Sequence, residues 1–258
     1  MKVFFSENNV DYGTYTFNYA IYAQKETQAE LTEIYEKGFL PYTGNTKIES
    51  ELFYLARSLR VNLENFDDTS ENRRVSRLVE PLDIKLEILD KNNFDTKDPE
   101  FVAFCSNYIN ERIGEDNMSL ERWDYILKQE TGTNFFKFSN SEKTLGYVLA
   151  CINEELVHYW FAFFDTEYMR THSLGKWMMW RVIRWSKDNN KKYAYLGTAY
   201  KPAALYKIRD HKGLEFWDGQ KWNTDSKILK DWCQTDLDTK AADRFKLLEE
   251  PNKFLSEL

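Results

Sequence analysis

Two adjacent runs of apolar and aromatic residues constrain the fold of this chain more than any other feature of its sequence. The runs cover residues 145–151 and 156–164, and Asn153-Glu154 lies between them. Two runs of strand length joined by a short polar turn are typical of a β-hairpin. The pattern therefore predicts a pair of antiparallel strands in the second half of the chain.

Helix and strand signals on both sides of this hairpin predict an α/β (α+β) fold. Asp98-Pro99 begins one helix, with proline at its first position, and Ser119 caps a second. After the hairpin, Ser173 caps a helix from residue 174 to about residue 187, and residues 193–197 form a short buried strand. This order predicts a mixed sheet with helices on its faces.

The 258 residues suit one large domain or two modest ones, at roughly 100–200 residues per domain. Residues 1–94 are predicted to form an N-terminal sub-lobe and residues 95–258 the main domain. Within the sub-lobe, a strand is predicted over residues 55–66 and a short helix over residues 71–79. The polar residues 90–97 are interpreted as a linker.

Composition excludes several classes of protein. Aromatic residues make up 16% of the chain, which excludes a mostly disordered protein. The three cysteines lie far apart and the three histidines lack ligand spacing, so neither a disulfide framework nor a cysteine-rich metal site is expected. No signal-peptide core and no apolar run of about 18 residues is present, which predicts a soluble, cytoplasmic protein without membrane contact.

The net charge of −7 hides an uneven distribution of charge along the chain. Eleven basic and two acidic residues lie between Arg170 and Lys212, which gives this block a charge of +9 and the remainder −16. A phosphate-rich partner would pair with such a surface. A solvated helix face is the alternative interpretation.

The start of the helix after Ser173 is the strongest local signal for a ligand. A helix N-terminus presents unpaired amides to an anion, and Gly175 would allow close backbone approach. An ordinary capped helix that packs Trp177 into the core is the alternative. The acyl-CoA signature of two spaced glycines is absent, because residues 170–176 contain one glycine at the wrong offset.

Two further groups of residues could carry chemistry. Arg73, Arg74 and Arg77 suit carboxylate or phosphate binding, and surface ion pairs are the alternative. Asp165 follows the second strand of the hairpin and could act as a base or cap the next turn. His158 lies within the second apolar run and is interpreted as a structural residue.

These features fall within a pattern that resembles the aminoacyl-tRNA–protein transferases, the arginyl and bacterial leucyl enzymes of N-degron tagging. The resemblance covers roughly residues 30–222. It is carried by four segments: Tyr35-Glu-Lys-Gly-Phe39, Phe66-Asp-Asp-Thr-Ser-Glu-Asn-Arg-Arg74, Phe163-Phe-Asp-Thr-Glu-Tyr followed by Ser-Leu-Gly175, and Tyr195-Leu-Gly197 followed by Tyr206-Lys207. The family's N-terminal cysteine cluster, which binds zinc or an iron–sulfur cluster, has no counterpart in residues 1–94.

The resemblance implies a GNAT-like fold and transfer of an amino acid from aminoacyl-tRNA, as co-substrate, to an amine of a protein or peptide, with no metal or other cofactor. It implies a catalytic role for Asp165 and Tyr206. It implies tRNA or substrate binding by Arg73, Arg74, Arg77, Ser173, Gly175, Lys176 and Lys207. A GNAT acyltransferase that uses acyl-CoA and an inactive binding relative are the alternative hypotheses.

Overall fold

The protein is described by a computed structural model that covers residues 1–12 and 16–236. The strands are β1 (Lys2–Asp11), β2 (Thr16–Gln24), β3 (Phe39–Pro41), β4 (Leu52–Leu55), β5 (Ser58–Asn62), β6 (Lys85–Asp90), β7 (Asn134–Ser139), β8 (Thr144–Ile152), β9 (Leu156–Phe164), β10 (Tyr193–Thr198), β11 (Leu214–Trp217) and β12 (Trp222–Asn223). The helices are α1 (Leu31–Glu36), α2 (Ser70–Val79), α3 (Pro99–Tyr108), α4 (Leu120–Lys128), α5 (Tyr168–Thr171), α6 (Leu174–Asp188), α7 (Leu205–Arg209) and α8 (Ser226–Thr235).

Two sheets organise these elements. The smaller sheet has the strand order β1-β2-β4-β3, and the larger sheet has the order β12-β11-β5-β10-β9-β8-β7-β6. The predicted hairpin is β8–β9, which pairs antiparallel at the middle of the larger sheet. Helices flank this sheet, so the prediction of a mixed sheet flanked by helices is confirmed.

Strands β9 and β10 of the larger sheet pair in parallel, and α6 connects them. The first residues of α6 follow from its sequence: Ser173 is the N-cap, and Leu174, Trp177 and Met178 turn one apolar face inward. This face packs with α2 against one side of the sheet. Helices α3 and α4 cover the other side, with Phe101 at the centre of that core.

The helix starts predicted at Asp98-Pro99 and at Ser119 are confirmed. Asp98 caps α3 by accepting hydrogen bonds from the amides of Glu100 and Phe101, and Pro99 is its first residue. Ser119 caps α4 by accepting from the amide of Arg122. Such caps satisfy backbone N–H groups that have no partner within the helix.

Two expectations about the first hundred residues differ from the structure. The polar residues 90–97 are packed rather than a linker: the ring of Phe94 lies 5.0 Å from that of Phe101, and Lys91 Nζ donates to the carbonyl of Leu127 at 2.9 Å. Also, β5 and β6 both belong to the larger sheet. The chain passes from the smaller sheet to the larger sheet between β4 and β5. The division into domains at residue 94 stays a prediction.

None of the helices in the described part of the chain combines the length and the hydropathy needed to span a bilayer.

Candidate active site

A fork between β9 and β10 forms the centre of the candidate site. The two strands pair from Tyr193 with Leu156 to Tyr195 with His158, and the pairing ends there. Beyond this point β9 continues to Phe164 with β8 as its paired neighbour. On the other side, β10 bulges at Gly197 and stays with β5. The strands therefore separate and leave a gap in the middle of the sheet.

Lys207 occupies this gap. Its Nζ atom donates hydrogen bonds to the carbonyl oxygens of Leu196 and Thr198, at 3.0 and 3.2 Å. The left-handed backbone of Gly197, with φ of +78°, lies between these two carbonyls. No carboxylate pairs with Lys207 among the described residues, and burial lowers the pKa of its ammonium to about 8. One of its three N–H groups is left for a ligand.

A cavity of about 800 Å³ opens from the fork. Its wall includes five of the nine residues predicted for the site: Ser173, Gly175, Lys176, Tyr206 and Lys207. They come from the start of α6 and from α7, which the fold brings together across the gap. The side chain of Tyr206 is 40% exposed toward this space.

The N-terminus of α6 faces the cavity. Ser173 adopts a left-handed conformation, with φ of 53°, and its side chain makes no capping hydrogen bond. The predicted capping by its side chain is therefore wrong, although its position as N-cap is right. The amides of Leu174 and Gly175 precede the first hydrogen-bonded turn of α6 and can meet an anion at this wall of the cavity, whereas the amide of Lys176 donates to the carbonyl of Ser173 at 3.0 Å.

Gly175 is needed at this wall for steric reasons. A Cβ atom at this position would lie 2.6 Å from Cε1 of Phe164, whose ring also lines the cavity. The helix can approach β9 this closely only without a side chain at residue 175.

We expect Gly175→Ala to lower the free energy of unfolding by about 1–3 kcal/mol, because Phe164 must move off its rotamer. An alanine in an unstrained helix would instead stabilise it by about 0.5–1 kcal/mol, so the sign of the change identifies the clash. Urea unfolding measures it. Combining Gly175→Ala with Phe164→Leu should recover part of the loss, and strict additivity of the two changes would contradict this explanation.

Lys176 is already neutralised by the protein. Its Nζ atom lies 2.9 Å from Glu71 and 2.7 Å from Asp210. Hydrogen bonds from Arg74 and then from Lys176 lower the pKa of the Glu71 carboxyl to about 2. The network holds α2 and α7 against the start of α6, so Lys176 offers an anion less charge than the sequence suggests.

The arginines of α2 lie outside the cavity. Arg74 makes two hydrogen bonds to Glu71, at 2.7 and 2.8 Å, whereas Arg73 donates to the carbonyl of Asp68 and Arg77 to that of Arg73. For Arg74, this geometry corresponds to the alternative of surface ion pairing. Binding of tRNA by Arg73, Arg74 and Arg77 stays a prediction.

Asp165 also lies outside the main cavity. Its carboxylate is 2.7 Å from Lys143 Nζ and accepts a hydrogen bond from the amide of Glu167 at 3.0 Å. It lines a smaller neighbouring cavity of about 280 Å³. The arrangement is that of a turn-capping carboxylate held by a lysine, so the catalytic role of Asp165 stays a prediction that this geometry does not favour.

The sequence interpretation missed three cavity residues. His158 is buried and lies at the last β9–β10 pair, facing the cavity. Arg112 and Arg122 line the same space near the loop between β3 and β4. No motif marks the arginines, because their place in the wall depends on how that loop packs on α4: Arg122 donates to Thr43 Oγ1 at 2.8 Å.

The cavity is positively charged. The charged side chains of its described lining are Arg112, Arg122, Lys176 and Lys207. Because Glu71 and Asp210 neutralise Lys176, the positive charge comes from the other three. The Nε atom of Arg122 is buried without a hydrogen-bond partner. A buried guanidinium donor of this kind suits a carboxylate.

The described residues contain no group of three or more His, Cys, Asp or Glu side chains arranged to hold a metal ion. That the reaction needs no metal stays a prediction.

Residues 100–209 match the family model described as arginine-tRNA-protein transferase, C terminus. Over this segment, which we call the transferase segment, the chain is similar to that transferase family. The transferase segment contains β9, α6, β10 and α7, and with them the fork, Tyr206 and Lys207. It excludes α2 and its arginines. No curated protein sequence matches the chain.

Several solved structures are similar to this chain in fold. L-PGS from Bacillus licheniformis has a TM-score of 0.47 and 10% identity, over 75% of this chain and 66% of that one. FemX has a TM-score of 0.30 and 11% identity, over 69% and 63%. A GCN5-related glucosamine N-acetyltransferase region of a fungal β-N-acetylglucosaminidase has a TM-score of 0.40 and 10% identity, over 75% and 22%.

Proposed function

We propose that this protein transfers an amino acid from aminoacyl-tRNA to the α-amine of a protein or peptide with an acidic N-terminus. The family match over residues 100–209 supports an aminoacyltransferase that uses charged tRNA. The observation that carries the proposal is the half-buried ammonium of Lys207 in the fork, which has no carboxylate partner among the described residues and lines the cavity where an acyl carbonyl can reach it. Under this proposal the reaction takes place in the cytoplasm, without a membrane or a cofactor besides aminoacyl-tRNA.

Lys207 would stabilise the charge that develops on the ester carbonyl. The neutral amine of the acceptor attacks the carbonyl carbon, the C–N bond forms, and the electron pair moves to the carbonyl oxygen. Collapse of this intermediate restores the C=O bond and expels the ribose oxygen of the tRNA, which takes up the proton that the amine loses. Tyr206 lines the same cavity and can relay that proton. The third N–H of Lys207 donates to the oxyanion.

The start of α6 would hold the terminal phosphate of the tRNA. The free amides of this helix end and the small residue Gly175 let a phosphate approach the backbone closely. Because two carboxylates already neutralise Lys176, the backbone and the Ser173 hydroxyl would make the main contacts. Orientation of the ester in the fork then supplies much of the rate acceleration.

Arg122 and Arg112 would bind the acidic side chain of the acceptor. Arg122 is fixed by hydrogen bonds to the carbonyl of Asn117 at 2.6 Å and to Thr43, so its orientation is set before a ligand binds. Arg112 lies on the same wall and is exposed. A carboxylate at this wall would leave the acceptor amine free to face the fork.

The test is incubation with a pool of charged tRNAs and peptides that begin with Asp, read by mass spectrometry. We expect one added amino acid on the free peptide and none on its N-acetylated form. An acetyl-CoA reaction run in parallel tests the alternative acyl donor. No adduct from any charged tRNA would reject the proposed function.

We expect Arg122→Gln to raise KM for a peptide with N-terminal Asp by about 10–100-fold, since a hydrogen bond to a charged group contributes about 1.5–3 kcal/mol. The isosteric peptide with N-terminal Asn serves as the matched substrate, and its KM should change little. An equal loss for both peptides would indicate that Arg122 only supports the fold. Thermal unfolding of the variant accompanies the kinetics.

A further inference from the structure

His158 lines the cavity and has a hydrogen-bonding atom that the protein leaves unused. Its side chain is 2% exposed, and its Nε2 atom is buried without a partner among the described residues. A polar atom buried without a partner costs free energy, about 1–3 kcal/mol, unless a ligand or water completes it. His158 is the residue of β9 at which the fork begins. His158 and Lys207 both line the cavity at this end of the fork.

The other ring nitrogen of His158 is held by the N-terminal part of the chain. Nδ1 lies 2.9 Å from the hydroxyl of Tyr35, a fully buried residue of α1. The two residues are 123 positions apart in the sequence. Their rings meet edge to face, with centroids 5.4 Å apart. Packing and one hydrogen bond thus fix the imidazole in one orientation.

This contact determines the tautomer of His158. Burial, and then the charge of Lys207, lower the pKa of the imidazole to about 3, so the ring is neutral at neutral pH. A neutral imidazole has one N–H donor and one acceptor nitrogen. If Tyr35 accepted from Nδ1, its own proton would be left to the thiol of Cys151, a weak acceptor. On this argument we assign Tyr35 as the donor to Nδ1, which puts the proton of the ring on Nε2.

We propose that His158 is a second oxyanion donor: its Nε2–H donates to the carbonyl oxygen of the aminoacyl ester, alongside Lys207, and Tyr35 is the positioning residue that fixes the tautomer. The proposal rests on the proposed function. It adds a neutral donor to the cationic one, so the oxygen is held from two sides of the fork. Such donors act most strongly where water is excluded, as at the buried end of the cavity.

The test compares three variants in the full-length protein with charged tRNA and acceptor peptide. We expect His158→Leu to lower kcat by about 10²-fold, the usual loss for one oxyanion donor, with KM within about threefold of wild type. His158→Gln should regain about 10-fold, because its amide can place a donor near the position of Nε2. Tyr35→Phe should lower kcat less than His158→Leu does, since both tautomers then become accessible.

Nitrogen-15 NMR of the imidazoles gives a readout that a packing role would not change. We expect protonated Nε2 and unprotonated Nδ1 for His158 in the wild-type protein, and a mixture in Tyr35→Phe. His211→Leu is the matched control, because His211 is a half-buried histidine that also has a buried, unpartnered ring nitrogen but does not line the main cavity. Its kcat should stay within about threefold of wild type.

Two results would overturn the proposal while the proposed function stands: an active wild type with unchanged kcat in His158→Leu, or a proton on Nδ1. A wild-type protein that transfers no amino acid would instead reject the proposed function, and the role of His158 with it.

Discussion

Lys207→Met is expected to lower kcat for aminoacyl transfer by about 10²–10³-fold, the usual loss when an oxyanion donor is removed. Methionine fills a similar volume but offers neither a proton nor a charge. The carbonyls of Leu196 and Thr198 would also lose their shared donor, so the fork should relax. Single-turnover transfer with preformed aminoacyl-tRNA measures the chemical step directly.

The matched control for this change is Lys227→Met. Lys227 is exposed on α8, away from the lining of the cavity, and the same substitution there should leave kcat within about twofold. Circular dichroism and thermal unfolding show whether Lys207→Met is folded. A folded Lys207→Met variant with wild-type kcat would remove the central element of the proposed mechanism.

The pH dependence of the rate should identify the protonated form of Lys207 as the active one. Its pKa is lowered to about 8, so the cation is present below pH 8 and is lost as the pH rises through that value. The acceptor α-amine, with a pKa of about 7.7–8.0, must lose its proton and sets the rising limb. We expect a narrow bell centred near pH 8, corrected for spontaneous ester hydrolysis. In Lys207→Arg any remaining activity should lack the falling limb, because guanidinium stays charged.

Arg60→Met is expected to lower the free energy of unfolding by about 3–5 kcal/mol, the largest loss of stability predicted for this chain. Arg60 is 7% exposed, and its Nε atom lies 2.6 Å from Glu215 on the neighbouring strand β11. Its guanidinium lies between two aromatic rings, 3.8 Å from the centre of Tyr193 and 3.9 Å from that of Trp222. Removal of the arginine leaves the carboxylate of Glu215 buried without its counter-charge.

The control for Arg60→Met is the double variant with Glu215→Gln, which removes the charge that the single variant leaves unpaired. Chemical denaturation should show a smaller loss for the double variant than for Arg60→Met alone. A double variant that is equally unstable would mean that the aromatic contacts, and not the ion pair, hold β5 to β11. Because Arg60 and Glu215 are in contact, we do not expect the free-energy changes of the two substitutions to add.

Short-range signals in the sequence predicted the central elements of the fold. The hairpin predicted over residues 145–151 and 156–164 corresponds to β8 and β9, and the helix predicted from residue 174 corresponds to α6. These elements carry their own signals: apolar runs of strand length, a polar turn and a helical apolar face. The choice of Lys207 as a binding residue followed from the family resemblance, and the structure places its side chain at the fork. Its binding role stays a prediction.

Long-range pairing could not be predicted in the same way. Apolar and polar residues alternate only weakly along β6. The strand is mostly exposed because it lies at the edge of the sheet. The contact between Tyr35 and His158 joins α1 to β9, and an apolar run around a histidine gives no sign of it. Arg57 and Arg60 stand in the sequence just before the α2 arginines, but they pair with Asp236 and Glu215 respectively.

The position of β5 has a consequence for how this chain can be divided. Residues 58–62 lie between β10 and β11 in the larger sheet, whereas the transferase segment begins at residue 100. A fragment that starts there would expose the edge of β10 next to Gly197 and would lack Tyr35. The proposed site therefore depends on the first hundred residues, because they supply both β5 and Tyr35.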